Sequence, residues 1–556
     1  MSTPSVNEKN AVIEKEQPPQ EVMSTASSPE TMGSYDHTKR RLKNRHVQLI
    51  GIGGTIGTAL FVQIGASLVK GGPASLFIAF AGWSTFILAI NNCLSEMVTW
   101  MPISSPFVRY ADRFVDDALG ITAGINFFIF EAALVPYEVV AFNVILQYWT
   151  DKIPTAAVIV FVLVTYAFLN FYAVKYYGES EFWLASGKVL LATGLIVFTF
   201  ITMVGGNPLR EAYGFRFWKP ENSPGAPFSE YLYTGNTGRM TGFMACLIQA
   251  AFTIAGPDYV SMAAGEAMSP RKNMPIAFRS VFWRLTFFFV LGSLCVGIVV
   301  DHNDPNLLAA LSDAKPGAGS SPYVIAMIRM GIPVLPHIVN FLVLSAVYSA
   351  GNSYVFCASR TLYGLALDGK APRIFSKCNK NGVPHYAVGL TLAISLLAFL
   401  QLSNNTAVVL QWFISLVTAS QLLNYAFISF TFLRYYKALR AQAIDRNTLP
   451  YKSIWQPFCG YYGLIGTSIM AVVSGYEVFL PGRWDIPTFL FSYTMIAVCP
   501  TLFIVWKVWK RTEIRKLTEI DFFEKDRMLV DQYEAELVDE KEVDTRFGRA
   551  MNMLCS

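Results

Sequence analysis

The 556 residues are 53% hydrophobic, 14% aromatic and only 15% charged, with a mean hydropathy of +0.39. So little charge cannot coat a water-soluble protein of this size, which leaves lipid as the cover for the apolar exterior. The net charge of +5 is scattered over separate connections rather than gathered in one basic domain, which argues against a nucleic-acid partner.

Residues 1–37 mix Pro, Ser, Thr and Glu without periodicity, which predicts a disordered tail and no cleavable signal peptide. Apolar runs long enough to cross a bilayer, about 20 residues each as helix, then recur near 47–69, 75–99, 120–149, 154–175, 184–204, 241–263, 281–300, 336–358, 385–403, 408–433, 460–480 and 486–509. That pattern predicts twelve helices, because backbone groups in lipid must pair within their own segment. The organisation read from the sequence is a tail over 1–45, a twelve-helix domain over 46–510 and a tail over 511–556.

Segment 1 carries Gly51, Gly53, Gly54 and Gly57 around Thr55 and Ile56. Each glycine costs about 1 kcal/mol against alanine in a helix interior, so the segment is expected to break there. Segment 3 holds Glu131 and Glu138, seven residues apart and therefore on nearly the same face. Charge at membrane depth is expensive and faces the interior. Glu138 is read as functional, drawing a cation or relaying a proton, and Glu131 as structurally paired with a hydroxyl or backbone group. Segment 6 reads Phe252-Thr253-Ile254-Ala255-Gly256-Pro257-Asp258. Pro257 removes a donor and clashes with the preceding turn, so this segment is expected to break as well.

Segments 1 and 6 are the first members of two five-helix halves, and broken helices at matching positions point to a binding site at the bilayer midplane. Unwound N–H groups there suit a carboxylate and freed carbonyls an ammonium group, so the ligand is a small zwitterion or cation. Glu96 and Glu266, near helix ends, are read as interface pairs for Arg109, Arg271 or Lys272. On segment 8, Ser345, Tyr348, Ser349, Asn352 and Ser353 form a polar stripe toward the bundle. Residues 519–545 hold eleven acidic side chains against three basic ones, with Phe522, Phe523, Leu529, Tyr533 and Leu537 spaced for an amphipathic helix.

With the amino terminus inside, the predicted cytoplasmic connections carry twenty-three Lys and Arg, Lys188 included, against nine on the other side. Both termini are therefore expected in the cytoplasm. The eight cysteines form no CxxC pair, and the five histidines stand in no metal-ligand or nucleophile–base spacing, so neither a cofactor nor an enzyme activity is expected.

The chain resembles the fungal amino-acid permeases of the amino-acid–polyamine–organocation superfamily. The likeness runs from Arg45 to about Lys510. It rests on Arg45–Ile50, the segment 1 glycines, Glu96-Met97 with the Pro102–Phe107 turn, and Pro136-Tyr137-Glu138. It continues through Glu181-Phe182-Trp183 with Lys188, Phe252–Gly256, Gly265-Glu266, Pro270-Arg271-Lys272 and Ser359-Arg360. Lys175–Glu179 and Ser320–Met327 resemble the yeast branch associated with carnitine and polyamine uptake.

This resemblance implies a LeuT-like 5+5 inverted repeat with two extra helices, in the plasma membrane, and proton-coupled uptake with the proton gradient as driving force. It implies that Gly53, Gly54, Thr55, Ile56 and Gly57 bind a carboxylate and that Phe252 gates the substrate. Ile254, Ala255 and Gly256 would meet its amino group. Lys188 would couple to protons, the other reading being a lysine that snorkels to the interface. Asp258 stands where the family usually has Glu; it is read as a further substrate-binding residue, and with Glu138 it would suit a polyamine. The alternative function is a nutrient sensor on the same fold. Ubiquitin-ligase or trafficking factors are the partners expected at the tails.

Overall fold

The computed structural model describes residues 47–48, 57–103, 105–172, 174–311, 321–379, 382–404, 406–522 and 530–531. Its helices are α1 (Ile64–Trp100), α2 (Pro106–Phe114), α3 (Asp117–Leu146), α4 (Thr155–Phe171), α5 (Val174–Met203), α6 (Gly235–Thr253), α7 (Pro257–Met262) and α8 (Pro270–Arg284). They continue as α9 (Leu291–Val299), α10 (Pro305–Leu311), α11 (Pro322–Arg329), α12 (Leu335–Leu367), α13 (His385–Ser395), α14 (Thr406–Ala441), α15 (Phe458–Val473) and α16 (Ile486–Lys510). There is no strand among the described residues. Among the described residues, nine helical runs are long and apolar enough to cross a membrane, with Thr155–Phe171 and Phe458–Val473 as shorter apolar helices.

The first of the nine, Ala59–Trp100, is 42 residues long. At 1.5 Å per residue that is about twice the ~30 Å hydrocarbon core. The run is folded rather than straight. Gly72 has φ +76° and ψ 173°, and Pro73 follows it, so the chain turns between two arms within a continuous helical assignment. Segments 1 and 2, expected to be separated by residues 70–74, are therefore joined with no loop. The turn is held from outside: Ala74 N–H donates to Pro227 O at 3.1 Å, and Ser229 N–H donates to Gly71 O at 3.0 Å.

Around this folded pair, α6 packs along α1, and α3 lies between α12 and α14. Helix α3 is buried along most of its length, with apolar side chains on every face, as a central helix must be. Helix α16 shows mostly exposed apolar residues, such as Leu490, Ile504, Val505 and Val508, on the outside of the bundle.

Beyond α16, residues 511–522 run without helix along the end of the bundle formed by α2 and the end of α14. Arg515 N–H donates to Val115 O at 2.9 Å, and Gln442 Nε2 donates to Leu517 O and Ile520 O. Phe522 is buried between Phe114 and Tyr435. Most of the amphipathic helix expected further along the tail lies outside the described residues.

Candidate substrate site

The expected break in segment 6 is present. Helix α6 ends at Thr253 and α7 begins at Pro257. Between them Ile254 is extended (φ −92°, ψ 100°), and Gly256 has φ +156°, a backbone that side-chain-bearing residues rarely adopt. Pro257 starts the new helix where its missing N–H costs nothing. Of the segment 1 break, Gly53, Gly54, Thr55 and Ile56 lie outside the described residues. Gly57 and Thr58 are described, and a π-helical turn over Ala59–Gln63 follows them.

Gly57, Tyr137, Glu138, Phe252, Ala255 and Tyr354 are among the residues that enclose a cavity of about 30 Å³ between these elements. That is room for about two waters, so a bound amino acid requires the walls to part. Phe252 is buried and meets the Tyr137 ring edge-on at 5.4 Å. On the other side Tyr259 and Tyr354 stand 6.4 Å apart.

Glu138 is 1% exposed and accepts a hydrogen bond from Thr58 Oγ1. A Cβ on Gly57 would lie only 3.1 Å from Glu138 Oε1, so glycine is what lets the first helix approach the carboxylate. Within electrostatic reach of Glu138 is Lys188, itself 1% exposed. Lys188 Nζ lies 4.0 Å from Glu181 Oε1, and Glu181 Oε2 accepts from Ser349 Oγ at 2.9 Å. The lysine therefore does not snorkel. It also drops out of the loop-charge tally in which the sequence reading counted it. A lysine held between two carboxylates in a dry bundle meets the steep desolvation penalty of buried charge with two opposing charges. Glu181 was missed as its partner, although the spacing i, i+7 on one helix places the two on one face.

The second carboxylate of α3 departs from its structural reading. Glu131 is fully buried; the Tyr259 hydroxyl stands beside it, but neither carboxylate oxygen makes a well-formed hydrogen bond among the described residues. Asp258 is fully buried too. Its Oδ1 accepts from Gly256 N–H at 3.2 Å, and its Oδ2 has no partner among the described residues. The two carboxylates lie within electrostatic reach of each other and of Tyr259.

Elsewhere Glu96 pairs with none of the basic residues expected for it. It accepts two hydrogen bonds from Arg446, at 3.0 and 2.7 Å, and two from Ser453. Arg109 instead pairs with Asp368 at 3.3 Å. The stripe on α12 splits its tasks: Ser349 serves Glu181, Asn352 accepts from Asn170, and the Tyr348 carbonyl accepts from Tyr166.

Among the described residues, nine apolar spans around a core that holds buried charge define a multi-pass membrane protein. The chain belongs to the amino acid permease family, whose profile matches residues 46–519. It is 49% identical over 496 residues to General amino acid permease AGP2 of Saccharomyces cerevisiae, covering 88% of this chain and 82% of that protein. It is 40% identical over 489 residues to the Proline-specific permease of Emericella nidulans, covering 87% and 88%. Among solved structures, the nucleobase-cation-symport-1 family transporter Mhp1 aligns with a TM-score of 0.47 and 16% identity over 91% of this chain and 100% of its own, a likeness too weak to bear on the site.

Proposed function

We propose that the chain imports amino acids or related small zwitterions and cations, carnitine and polyamines included, across the plasma membrane by proton symport with alternating access. The break over Ile254–Gly256, opening onto a cavity walled by Phe252 and Glu138, is the observation that carries this reading. In this scheme Gly53, Gly54, Thr55, Ile56 and Gly57 receive the substrate carboxylate, and Ile254, Ala255 and Gly256 receive its amino group. Phe252 closes over it, while Lys188 with Glu138 exchanges the coupled proton.

The architecture that goes with it is twelve crossings in a 5+5 inverted repeat plus two. Counting the folded Ala59–Trp100 run twice and admitting the two shorter apolar helices brings the nine spans to that number. Both termini then lie in the cytoplasm, where ubiquitin-ligase or trafficking factors reach the tails.

The test is uptake of radiolabelled amino acids, carnitine and spermidine at two external pH values, in yeast lacking its broad-range permeases. Saturable uptake that rises with an inward proton gradient and is lost in Gly54→Trp is the expected result. No uptake of any label by protein that reaches the cell surface overturns transport and leaves a nutrient sensor on the permease fold.

A further inference from the structure

The buried carboxylates are not equally provided for. Glu138 has Thr58, Glu181 has Ser349 and Lys188, Glu96 has Arg446 and Ser453, and Asp116 has Lys507 and the Ala118 N–H. Among the described residues Glu131 has only the Tyr259 hydroxyl beside it and no well-formed hydrogen bond, Asp258 has backbone N–H groups at the start of α7 but no partner on Oδ2, and neither has a cation; both are fully buried. A buried carboxylate without a cation is costly, and two within electrostatic reach of each other disfavour ionising together unless a positive charge joins them.

The pair lies beside the cavity rather than apart from it. Phe130 and Leu134, one residue before and three after Glu131 on α3, line the cavity, and so does Tyr259, which follows Asp258. Residues three apart share a helix face, so Glu131 is turned toward the side that Leu134 presents to the cavity. Asp258 caps the N–H of Gly256, in the same break that receives the substrate's amino group in the scheme above. Within the cavity wall Phe130, Leu134 and Val417 suit methylenes, and the carboxylates beside it suit an ammonium group.

We propose that Glu131 and Asp258 form a second cation subsite that takes the distal ammonium group of a substrate, so that the site selects amino compounds with a second positive charge on an aliphatic arm. The subsite rests on the transport reading above for where the first amino group sits. In this placement the methylenes of a lysine-like arm lie against Phe130, Leu134 and Val417 and its ammonium meets the carboxylates. Its ammonium supplies the charge that allows both to remain ionised. A neutral side chain of equal length leaves both without a cation, which is the strong form of discrimination against a missing polar group.

The experiment compares L-lysine with L-norleucine, which lacks only the terminal ammonium, by competition binding to the purified full-length protein. Lysine is expected to bind at least about ten-fold more tightly, the range of one charge-assisted hydrogen bond. Glu131→Gln and Asp258→Asn are each expected to bring the two ligands within about two-fold of each other, while Glu131→Asp keeps the preference. Thermal melts run alongside show that the variants are folded, and Asp258→Asn carries the test if Glu131→Gln is not.

Equal binding of the two ligands by the wild type overturns the subsite. So does a preference that persists in both neutral variants, which would leave a proton shared by the carboxylates. Failure to bind either ligand overturns it as well. Uptake in cells is scored separately: binding with the expected preference but without uptake sinks the transport reading alone, and uptake without the preference sinks the subsite alone.

Discussion

Lys188 and Glu181 sit two helical turns apart on α5, and the bundle closes over both. Removing one partner of such a pair leaves the other charge buried and costs about 3–5 kcal/mol. Lys188→Met is therefore expected to lower the melting temperature of the purified protein markedly. Adding Glu181→Gln should recover most of that loss, since the stranded carboxylate is then neutral. The double variant should nonetheless show uptake that no longer responds to external pH, because its lysine is gone. Recovery of both stability and proton dependence would show that Lys188 is structural. The coupling role proposed for Lys188 comes from family resemblance alone, and its burial was not legible in the sequence, where it counts among the loop charges: hydropathy does not show that Glu181 waits two turns earlier on the same face. The lone Glu131 was not legible at all: i, i+7 spacing placed it on the face of Glu138, but spacing carries no information about whether a hydroxyl waits across the helix interface.

At the scale of elements, the positions of the helices could be read from hydropathy, and the break at Pro257 from proline's missing donor. The turn at Gly72 could not be read, because the apolar run ends ambiguously in Lys70-Gly71-Gly72-Pro73 and nothing in it reveals that Pro227 and Ser229 close over it. A Cβ at Gly72 would approach Pro227 O to 2.7 Å and Ser229 N to 2.8 Å, in a backbone region open to glycine alone. Gly72→Ala is expected to cost at least the ~1–3 kcal/mol of such backbone strain, measured as a lowered melting temperature. Gly82 is the matched control on the same helix: a Cβ there meets nothing within 4 Å, so Gly82→Ala should be neutral or slightly stabilising.

For the molecule as a whole, the segment after α16 ties together parts far apart in sequence. Asp112 binds Lys370 at 2.8 Å and Arg515 at 3.3 Å. Burial pushes the Asp112 carboxyl up, but Lys370, and after it Arg515, outweigh this and hold it below the ordinary aspartate range. A carboxyl lowered by folding contributes stability that is fully present above the unfolded value of about 3.9 and is lost as pH falls through the lower folded value. Melting curves of wild type and Asp112→Asn should thus differ by a constant amount from pH 7 to about pH 5 and converge below about pH 4. A gap that widens with acid would contradict the assigned pairing.

The imbalance in the core has an electrical consequence. Glu131, Glu138, Glu181 and Asp258 are set against Lys188, so in the proposed symport cycle protons and cargo together would decide what charge the centre of the protein carries. A membrane potential acts on that charge at about 2.3 kcal/mol per elementary charge per 100 mV. A dication and a neutral zwitterion, carried by the same site with the same number of protons, then differ in current as well as in affinity. Under that proposal the cell's voltage would be a second selector of substrate, tilting accumulation toward the more positive cargo before any side chain has distinguished the two.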